Sequence, residues 1–232
     1  MALLSYALEG SVATVALDDG KVNVLSPAMQ REINAALDRA EADRAVVVLT
    51  GREGVLSAGF DLNVLRQGDD EAAGMVIGGF ELAHRLLSFP YPVVVACPGH
   101  AIAMGAFLLL SGDYRIGAAG AYKLVANEVA IGLMLPYTAI EILRQRLTPA
   151  CFHRAAALAE QFSPANAVEA GFLDRVVEPA ELAAAARETA QALSTLDMTA
   201  HTATKLRARA NALAAIRAGI EADRAARNPV AP

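Results

Sequence analysis

One carboxylate, Glu128, lies between two apolar runs and is the first candidate for chemistry. Leu124-Val125-Ala126 comes just before the Asn127-Glu128 pair, and Val129-Ala130-Ile131 follows it. An isolated glutamate is usually a solvated surface residue, but these neighbours make free solvation less favourable. A carboxylate with restricted hydration can take up a proton near neutral pH and act as a general base. We therefore predict a proton-transfer role for Glu128.

Two glycine-containing segments could supply backbone N–H groups to the same reaction. The first, Leu56 to Leu62, follows a buried strand, and Gly59 allows a sharp turn within it. The second, Gly99 to Leu110, enters a helix, and helix N-termini present unpaired N–H groups with a positive partial charge. Two such donors that converge on one point would form an oxyanion hole for a carbonyl or thioester oxygen. Each loop alone is also a routine structural turn, whereas the ordered pair favours the oxyanion hole.

The elements that must position these segments begin with a hairpin and a helix. Two strand-like runs, Leu4 to Leu8 and Val12 to Leu17, flank a Glu9-Gly10-Ser11 turn and predict the hairpin. Ser26 and Pro27 then predict the N-cap and the first residue of a helix.

Strands and helices continue to alternate through the middle of the chain. The runs Ala45 to Leu49 and Pro92 to Ala96 predict strands that are buried on both faces. Between them, Glu71 to Leu87 predicts an amphipathic helix. This alternation predicts an α/β fold with a largely parallel sheet.

From Pro179 onward, alanine-rich helices replace the strands. One apolar stripe with helical spacing is predicted there, formed by Leu206, Leu213, Ile216 and Ile220. The last 32 residues have a local net charge of +4 from six basic and two acidic residues: Lys205, Arg207, Arg209, Arg217, Arg224 and Arg227 against Glu221 and Asp223. This basic cluster could meet phosphates, or it could be a solvated or subunit-contact surface.

Composition excludes several classes of protein. A net charge of −5 argues against general nucleic-acid binding, which needs a basic surface. Cys97 and Cys151 match no metal-site spacing and are expected to be free thiols in a reducing compartment, and the histidines show no metal-like spacing either. The first residues lack the features of a signal or transit peptide, and proline and glycine interrupt the most apolar stretch, Val93 to Leu110. We expect a cytoplasmic protein with no metal site and no membrane span.

Five segments in order resemble the crotonase superfamily, which contains the enoyl-CoA hydratases and isomerases. The segment Lys21-Val22-Asn23-Val24-Leu25 resembles its V-N-x-L element, and Ser57-Ala58-Gly59-Phe60-Asp61-Leu62 resembles its first oxyanion loop. Three more resemble its G-x-A-x-G-G-G-x-E-L-A-x-x-C-D, N-E-x-x-x-G-[IL] and G-[LI]-V-D-x-V-V segments: Gly99 to Asp113, Asn127 to Leu133 and Gly171 to Val177. The resemblance covers nearly the whole chain.

The resemblance assigns roles to individual residues. It implies that the backbone N–H groups of Phe60 and Met104 form the oxyanion hole and that Glu128 moves the proton at the α-carbon. Asp61 is expected to brace the first loop by accepting N–H bonds. The residues expected to contact an acyl-CoA substrate are Val22, Leu25, Ser57, Ala58, Gly59, Asp61, Leu62, Gly105, Phe107 and Asn127. No separate cofactor is implied, because CoA is part of the substrate.

The resemblance also implies an architecture. It implies a crotonase spiral of ββα units over residues 1–190 and a helical oligomerisation segment over residues 191–232. Family members of this kind pack as homotrimers through the C-terminal helices, often doubled to a hexamer.

One departure from the family pattern decides the predicted reaction. Hydratases of this family place a second glutamate on the helix after the oxyanion loop, where this chain has Phe107. Hydration needs one group to activate water and another to protonate carbon, whereas a single carboxylate suffices to shift a double bond. The sequence therefore favours a Δ3,Δ2-enoyl-CoA isomerase, in which Phe107 helps to keep water away and raises the pKa of Glu128.

Three alternatives remain open at this stage. The chain could be a hydratase that uses an unconventional second group, or a non-catalytic homologue that binds acyl-CoA or acts as an assembly partner. The retention of Glu128 favours an enzyme over the silent homologue. A serine protease of the same spiral fold ranks last, because no nucleophile can be identified.

Overall fold

The larger of two β-sheets has six strands. The computed structural model describes residues 2–226. The strands of this sheet are β1 (Leu4–Glu9), β2 (Val12–Leu17), β3 (Val46–Thr50), β5 (Val93–Cys97), β7 (Tyr114–Ala118) and β9 (Arg175–Val177). They lie in the order β1-β2-β3-β5-β7-β9. Strands β1 and β2 form the predicted antiparallel hairpin, and every other pair is parallel.

A smaller parallel sheet has three strands and is built from the second strand of each repeating unit. Its strands are β4 (Gly54–Ser57), β6 (Gly99–Ile102) and β8 (Leu124–Val125), in the order β4-β6-β8. Each follows one strand of the larger sheet, so that β3-β4, β5-β6 and β7-β8 each lead into helix. This repeated ββα unit confirms the predicted spiral.

Ten helices complete the described chain. They are α1 (Pro27–Ala42), α2 (Leu62–Leu65), α3 (Asp70–Ser88), α4 (Met104–Leu110), α5 (Tyr137–Arg144), α6 (Pro149–Leu158), α7 (Pro164–Ala170), α8 (Leu182–Leu193), α9 (Met198–Ala208) and α10 (Ala210–Ala225). Helix α1 begins at Pro27 as predicted, and the Ser26 hydroxyl accepts the Met29 N–H at 3.2 Å. No helix within residues 2–226 has the length and apolarity that a membrane crossing requires.

The central strands of the large sheet are buried on both faces. Val47 and Val95 point into the main core, whereas Val48 and Val94 point into a second core beneath α8. Successive side chains on a strand point to opposite faces, so a strand covered on both sides needs a continuous apolar run. This confirms the interpretation of these runs as doubly buried strands.

The C-terminal helices fold back onto their own chain. Ile216 and Ile220 of α10 are fully buried, and α10 packs on α5 and α3. Leu206 is 39% exposed, so the prediction that it shares their stripe is wrong. The helical spacing rule assumes one continuous helix, but α9 ends at Ala208 and α10 starts at Ala210.

Ion pairs neutralise most of the predicted basic cluster. Lys205 is buried and its Nζ lies 2.7 Å from the Asp113 carboxylate, which Arg209 also contacts at 2.8 Å. Arg217 and Arg224 both pair with Glu81. These ion pairs were not predicted, because a local charge count cannot see acidic partners that are distant in sequence. Whether the cluster binds phosphates or forms a solvated or subunit-contact surface stays a prediction. Arg207 is exposed, and Arg227 lies outside the described residues.

Candidate active site

The three strands of the small sheet end at one edge, and each leads into a predicted site segment. β4 ends at Ser57, where the first loop begins, and β6 ends at Ile102, just before Met104. β8 ends at Val125, three residues before Glu128. Because the strands are parallel, with Ile102 opposite Val125, their carboxyl ends share an edge. The fold thus brings together three segments that lie up to about 70 residues apart in the sequence.

Asn23 holds the start of the first loop through hydrogen bonds. It is fully buried, and its amide donates to the carbonyl oxygens of Leu17 and Leu56 at 3.1 and 3.2 Å. The Ser57 hydroxyl donates to the Asn23 carbonyl at 2.6 Å and accepts the Gly59 N–H at 3.1 Å. Asn23 also has a φ of +54°, a conformation that asparagine tolerates better than most residues. Asn23 was not among the predicted site residues, although this asparagine belongs to the segment that resembles the V-N-x-L element.

Two backbone hydrogen bonds fix the first loop against the same segment. The Ala58 N–H donates to the Val22 carbonyl at 3.0 Å, and the Leu25 N–H donates to the Gly59 carbonyl at 2.8 Å. Leu25 is fully buried, so it supports the loop from the core, whereas Val22 is 45% exposed at the surface.

The second loop turns sharply into α4 at Ala103. Ala103 has φ +51° and ψ −122°, a backbone conformation that residues other than glycine rarely adopt. Its N–H donates to the Val125 carbonyl at 2.8 Å, which holds the turn against β8. The turn leaves Met104 as the first residue of α4, with its N–H at the positive end of the helix.

We expect Ala103→Gly to stabilise the protein. Glycine removes the steric cost of the positive φ in the folded protein, but it also gives the unfolded chain more conformational entropy. We expect the first effect to be larger, so that the free energy of unfolding rises by about 1 kcal/mol. Urea unfolding of both proteins measures the change. A variant less stable than the wild type would contradict the strain at this turn.

The two loops pack directly against each other. A Cβ atom built on Gly59 would lie 3.0 Å from the Ala103 Cβ and 3.3 Å from the Met104 backbone nitrogen. One built on Gly105 would lie 2.2 Å from the Ser57 carbonyl oxygen. Glycine is therefore required at both positions for this close approach.

The two predicted donors are available at this junction. The backbone N–H groups of Phe60 and Met104 have no hydrogen-bond acceptor within residues 2–226. Free N–H groups beside a helix N-terminus are the equipment of an oxyanion hole. Their joint use on one oxygen remains a prediction.

Glu128 is buried and has a perturbed pKa. Only 7% of the residue is exposed, and burial raises the pKa of its carboxyl from 4.5 to about 7. Its Oε2 is buried and has no hydrogen-bond partner among the described residues, and the same is true of the Oδ1 of its neighbour Asn127. Buried polar atoms without partners are rare, so two adjacent ones make this position a candidate for function.

Phe107 belongs to a row of three aromatic rings beside the second loop. Phe107 is 1% exposed, and its ring lies 6.0 Å from that of Phe80, which in turn lies 6.2 Å from the ring of Phe60. The Phe60 ring covers Gly79 on α3. Phe107 is thus part of the packed core beside the second loop.

The other predicted residues take supporting or peripheral positions. Asp61 caps α2, and its carboxylate accepts the Asn63 N–H at 2.8 Å. Leu62 is 50% exposed. His100 accepts the Lys123 N–H at 3.1 Å and contacts the Tyr122 ring edge to face, as a structural histidine would. Within residues 2–226, no group of three or more acidic, histidine or cysteine side chains could hold a metal ion.

The site segments carry a group for acid–base chemistry and free backbone donors. A carboxyl with a pKa of about 7 is poised to exchange a proton near neutral pH. The free backbone donors at the loop junction are of the kind that can stabilise an enolate oxygen.

Comparison with known proteins gives the same family. Residues 7–228 match the enoyl-CoA hydratase/isomerase family model. A Thermus thermophilus protein provisionally named an enoyl-CoA hydratase is 38% identical over 143 residues, which is 59% of this chain and 56% of the Thermus protein. The chain thus aligns with little more than half of that curated relative.

Solved structures of this family match over nearly the whole chain. An enoyl-CoA isomerase of Mycobacterium tuberculosis is 51% identical, with a TM-score of 0.93 and 96% and 98% of the two chains covered. Another structure of that mycobacterial protein is provisionally described as an enoyl-CoA hydratase. Human mitochondrial Δ3,Δ2-enoyl-CoA isomerase is 26% identical, with a TM-score of 0.92 and 98% and 91% covered. The chain therefore belongs to the enoyl-CoA hydratase/isomerase family.

Proposed function

We propose that this protein is a Δ3,Δ2-enoyl-CoA isomerase that uses one carboxylate. The observation that carries the proposal is the burial of the Glu128 carboxyl, with its pKa raised to about 7, in a chain whose Phe107 is also buried. Glu128 can exchange protons, and an apolar side chain fills the position at which the resemblance would place a second glutamate. The mycobacterial and human isomerases with the same fold support this reading.

In the proposed reaction, one proton moves between two carbons of the substrate. The Glu128 carboxylate removes a proton from the α-carbon of a 3-enoyl thioester, and the C–H electron pair moves into an enolate. The Phe60 and Met104 N–H groups hold the enolate oxygen. Glu128 then returns the proton to the γ-carbon, and the double bond ends between the α- and β-carbons.

The proposed reaction is balanced without any further reagent. The substrate and product are isomers, so no water, oxidant or reductant is consumed. No cofactor apart from the CoA of the substrate is needed. We further propose that the enzyme acts in the cytoplasm as a homotrimer or hexamer, as its family resemblance implies.

Hydration is the second candidate, and Asn127 is the observation that favours it. The unpaired, buried Oδ1 of Asn127 could accept a hydrogen bond from a water molecule beside Glu128. An amide cannot exchange a proton as a carboxylate can, so this would position water without activating it. We therefore rank hydration below isomerisation.

The two reactions are separated by assaying the wild-type protein on two substrates. With 3-enoyl-CoA, we expect the absorbance of the conjugated thioester to rise with turnover. With 2-enoyl-CoA, we expect hydration at less than about a hundredth of that rate, because general acid–base groups typically contribute this much. Hydration as fast as isomerisation would overturn the proposal, and inactivity on both substrates would favour a non-catalytic acyl-CoA binder.

A further inference from the structure

The carboxylate of Glu128 depends on its backbone for its position. Its Oε2 has no hydrogen-bond partner among residues 2–226, so no side chain in that range orients it through this atom. Glu128 stands at the start of a short 3₁₀ turn, Val129–Ile131, and an irregular stretch then leads to α5. Within this loop, residues 126–136, the Ile131 and Leu133 N–H groups donate to the Glu128 carbonyl at 3.0 and 2.9 Å. How this turn is placed in the site then depends on how the two ends of the loop are fixed.

The front end of the loop is fixed to the second oxyanion loop. Val125 pairs with Ile102 in the small sheet, and the Val125 carbonyl accepts the Ala103 N–H at 2.8 Å. This end is thus tied to the residues that precede Met104.

The back end of the loop is fixed by a residue of the C-terminal helix. α5 starts at Tyr137 after Pro136, whose side chain cannot accept a hydrogen bond. Asp223 of α10 caps the start of α5 instead. Its carboxylate accepts the Tyr137 N–H at 2.9 Å, the Thr138 N–H at 3.0 Å and the Thr138 hydroxyl at 2.6 Å. A carboxylate at a helix N-terminus also interacts favourably with the helix dipole.

The contact between α10 and α5 is close and sheltered from water. Asp223 is 2% exposed, and Thr138 is fully buried. A Cβ built on Gly219 would lie 2.9 Å from the Thr138 nitrogen, so this position needs glycine for the two helices to approach. A buried carboxylate with three hydrogen bonds holds a more defined geometry than an exposed pair.

We propose that Asp223 is a positioning residue for catalysis, which holds the Glu128 carboxylate in place by capping α5 from the C-terminal helix. The inference rests on the proposed function of Glu128. It gives α10 a role in the chemistry of its own subunit.

The test compares Asp223→Asn and Thr138→Val with the wild type. Asparagine keeps one acceptor oxygen but loses the charge and the second acceptor, and valine removes only the hydroxyl. For Asp223→Asn we expect kcat on 3-enoyl-CoA to fall by about tenfold or more, with KM changed less than about threefold, because small displacements of a catalytic group are costly. For Thr138→Val we also expect kcat on 3-enoyl-CoA to fall, but by a smaller factor.

The pH profile supplies a readout that lost stability alone would not move. If the loop opens to water, the Glu128 carboxyl is better hydrated and its pKa falls towards its ordinary value. The acid limb of kcat/KM should then lie at a lower pH in Asp223→Asn than in the wild type. All assays are run at a temperature where urea and thermal unfolding show each protein to be folded.

Lys205→Met is the matched control for the same C-terminal segment. It removes one buried ion pair that anchors α9 at Asp113, without touching α5 or Glu128. We expect a loss of stability with kcat and the pH profile unchanged. If both Asp223→Asn and Thr138→Val keep wild-type kcat and pH profile, or if Lys205→Met changes them equally, Asp223 has only a structural role.

Failure of this inference can be told apart from failure of the proposed function. If the wild type isomerises 3-enoyl-CoA and loses this activity in Glu128→Gln, the proposed function stands, and the Asp223 variants then decide the inference alone. If Glu128→Gln keeps full activity, the proposed function has failed and the inference falls with it.

Discussion

Glu128→Gln is expected to reduce the isomerisation of 3-enoyl-CoA by about a thousandfold, since general acid–base groups contribute up to about 10⁴-fold and glutamine cannot exchange the proton. The substitution keeps the size of the side chain and leaves the Phe60 and Met104 N–H groups in place. Binding of acyl-CoA should persist, so KM or the dissociation constant of a product should change little. Steady-state kinetics and calorimetric titration measure the two effects. Activity within tenfold of the wild type would contradict the assignment of Glu128.

The same variant is expected to unfold less readily at alkaline pH. Burial raises the pKa of Glu128 to about 7 in the folded protein, whereas the unfolded chain has the ordinary 4.5. Between these values, the unfolded state ionises while the folded state stays protonated, so the wild type loses stability as the pH rises. The loss approaches about 3 kcal/mol above pH 7 and vanishes below the unfolded pKa.

Glutamine carries no such cost, and paired unfolding curves measure the difference. We expect Glu128→Gln to exceed the wild type by about 2 to 3 kcal/mol at pH 8 and to match it near pH 4.5. Glu178→Gln serves as the control, because Glu178 is exposed and its substitution should change stability by less than about 0.5 kcal/mol at both values. A wild type more stable than Glu128→Gln at pH 8 would show that the folded protein favours the charged carboxylate.

Gly105→Ala is expected to damage both the fold and the oxyanion hole. The added methyl would lie 2.2 Å from the Ser57 carbonyl oxygen, a backbone atom that can move only with its strand. The two loops must separate, and overpacking of this kind costs about 3 kcal/mol. Loss of one oxyanion donor typically costs about 10²-fold or more in turnover. Urea unfolding and kcat on 3-enoyl-CoA measure the two effects.

Gly74→Ala is the matched control for this substitution. Gly74 lies in α3, and a Cβ built on it meets nothing within 4 Å. Alanine is the better helix former, so the control should gain about 1 kcal/mol with unchanged turnover. If Gly105→Ala behaves like Gly74→Ala, the two loops are not packed as described.

Local pattern was sufficient for the framework of the fold. The hairpin around Gly10, the start of α1 at Ser26-Pro27 and the doubly buried runs of β3 and β5 all follow from residue type and spacing. The short second strand of each unit could not be predicted in this way. For example, β8 has only two residues and is defined by its pairing with β6. Those strands nevertheless set the edge at which the site segments meet.

Long-range contacts explain most of what the sequence could not show. The burial of Glu128 was expected from its apolar neighbours, and Phe107 was expected to be packed or to line the pocket. By contrast, the cap that Asp223 places on α5 joins residues 85 or more apart, and the partner of Lys205 is 92 residues away. A short-range pattern carries no information about such pairs, so the charge count could not show that ion pairs neutralise most of the basic cluster.

The central claim is that one carboxylate carries a proton from the α-carbon to the γ-carbon. It is tested most directly with 3-enoyl-CoA that is deuterated at the α-carbon, converted by the wild-type protein in ordinary water. Glu128 is 7% exposed, so the deuteron it removes should be shielded from solvent for part of its lifetime. Mass spectrometry and NMR of the product should find deuterium at the γ-carbon. Product that carries only solvent hydrogen there, even at the shortest reaction times, would contradict the one-carboxylate shuttle.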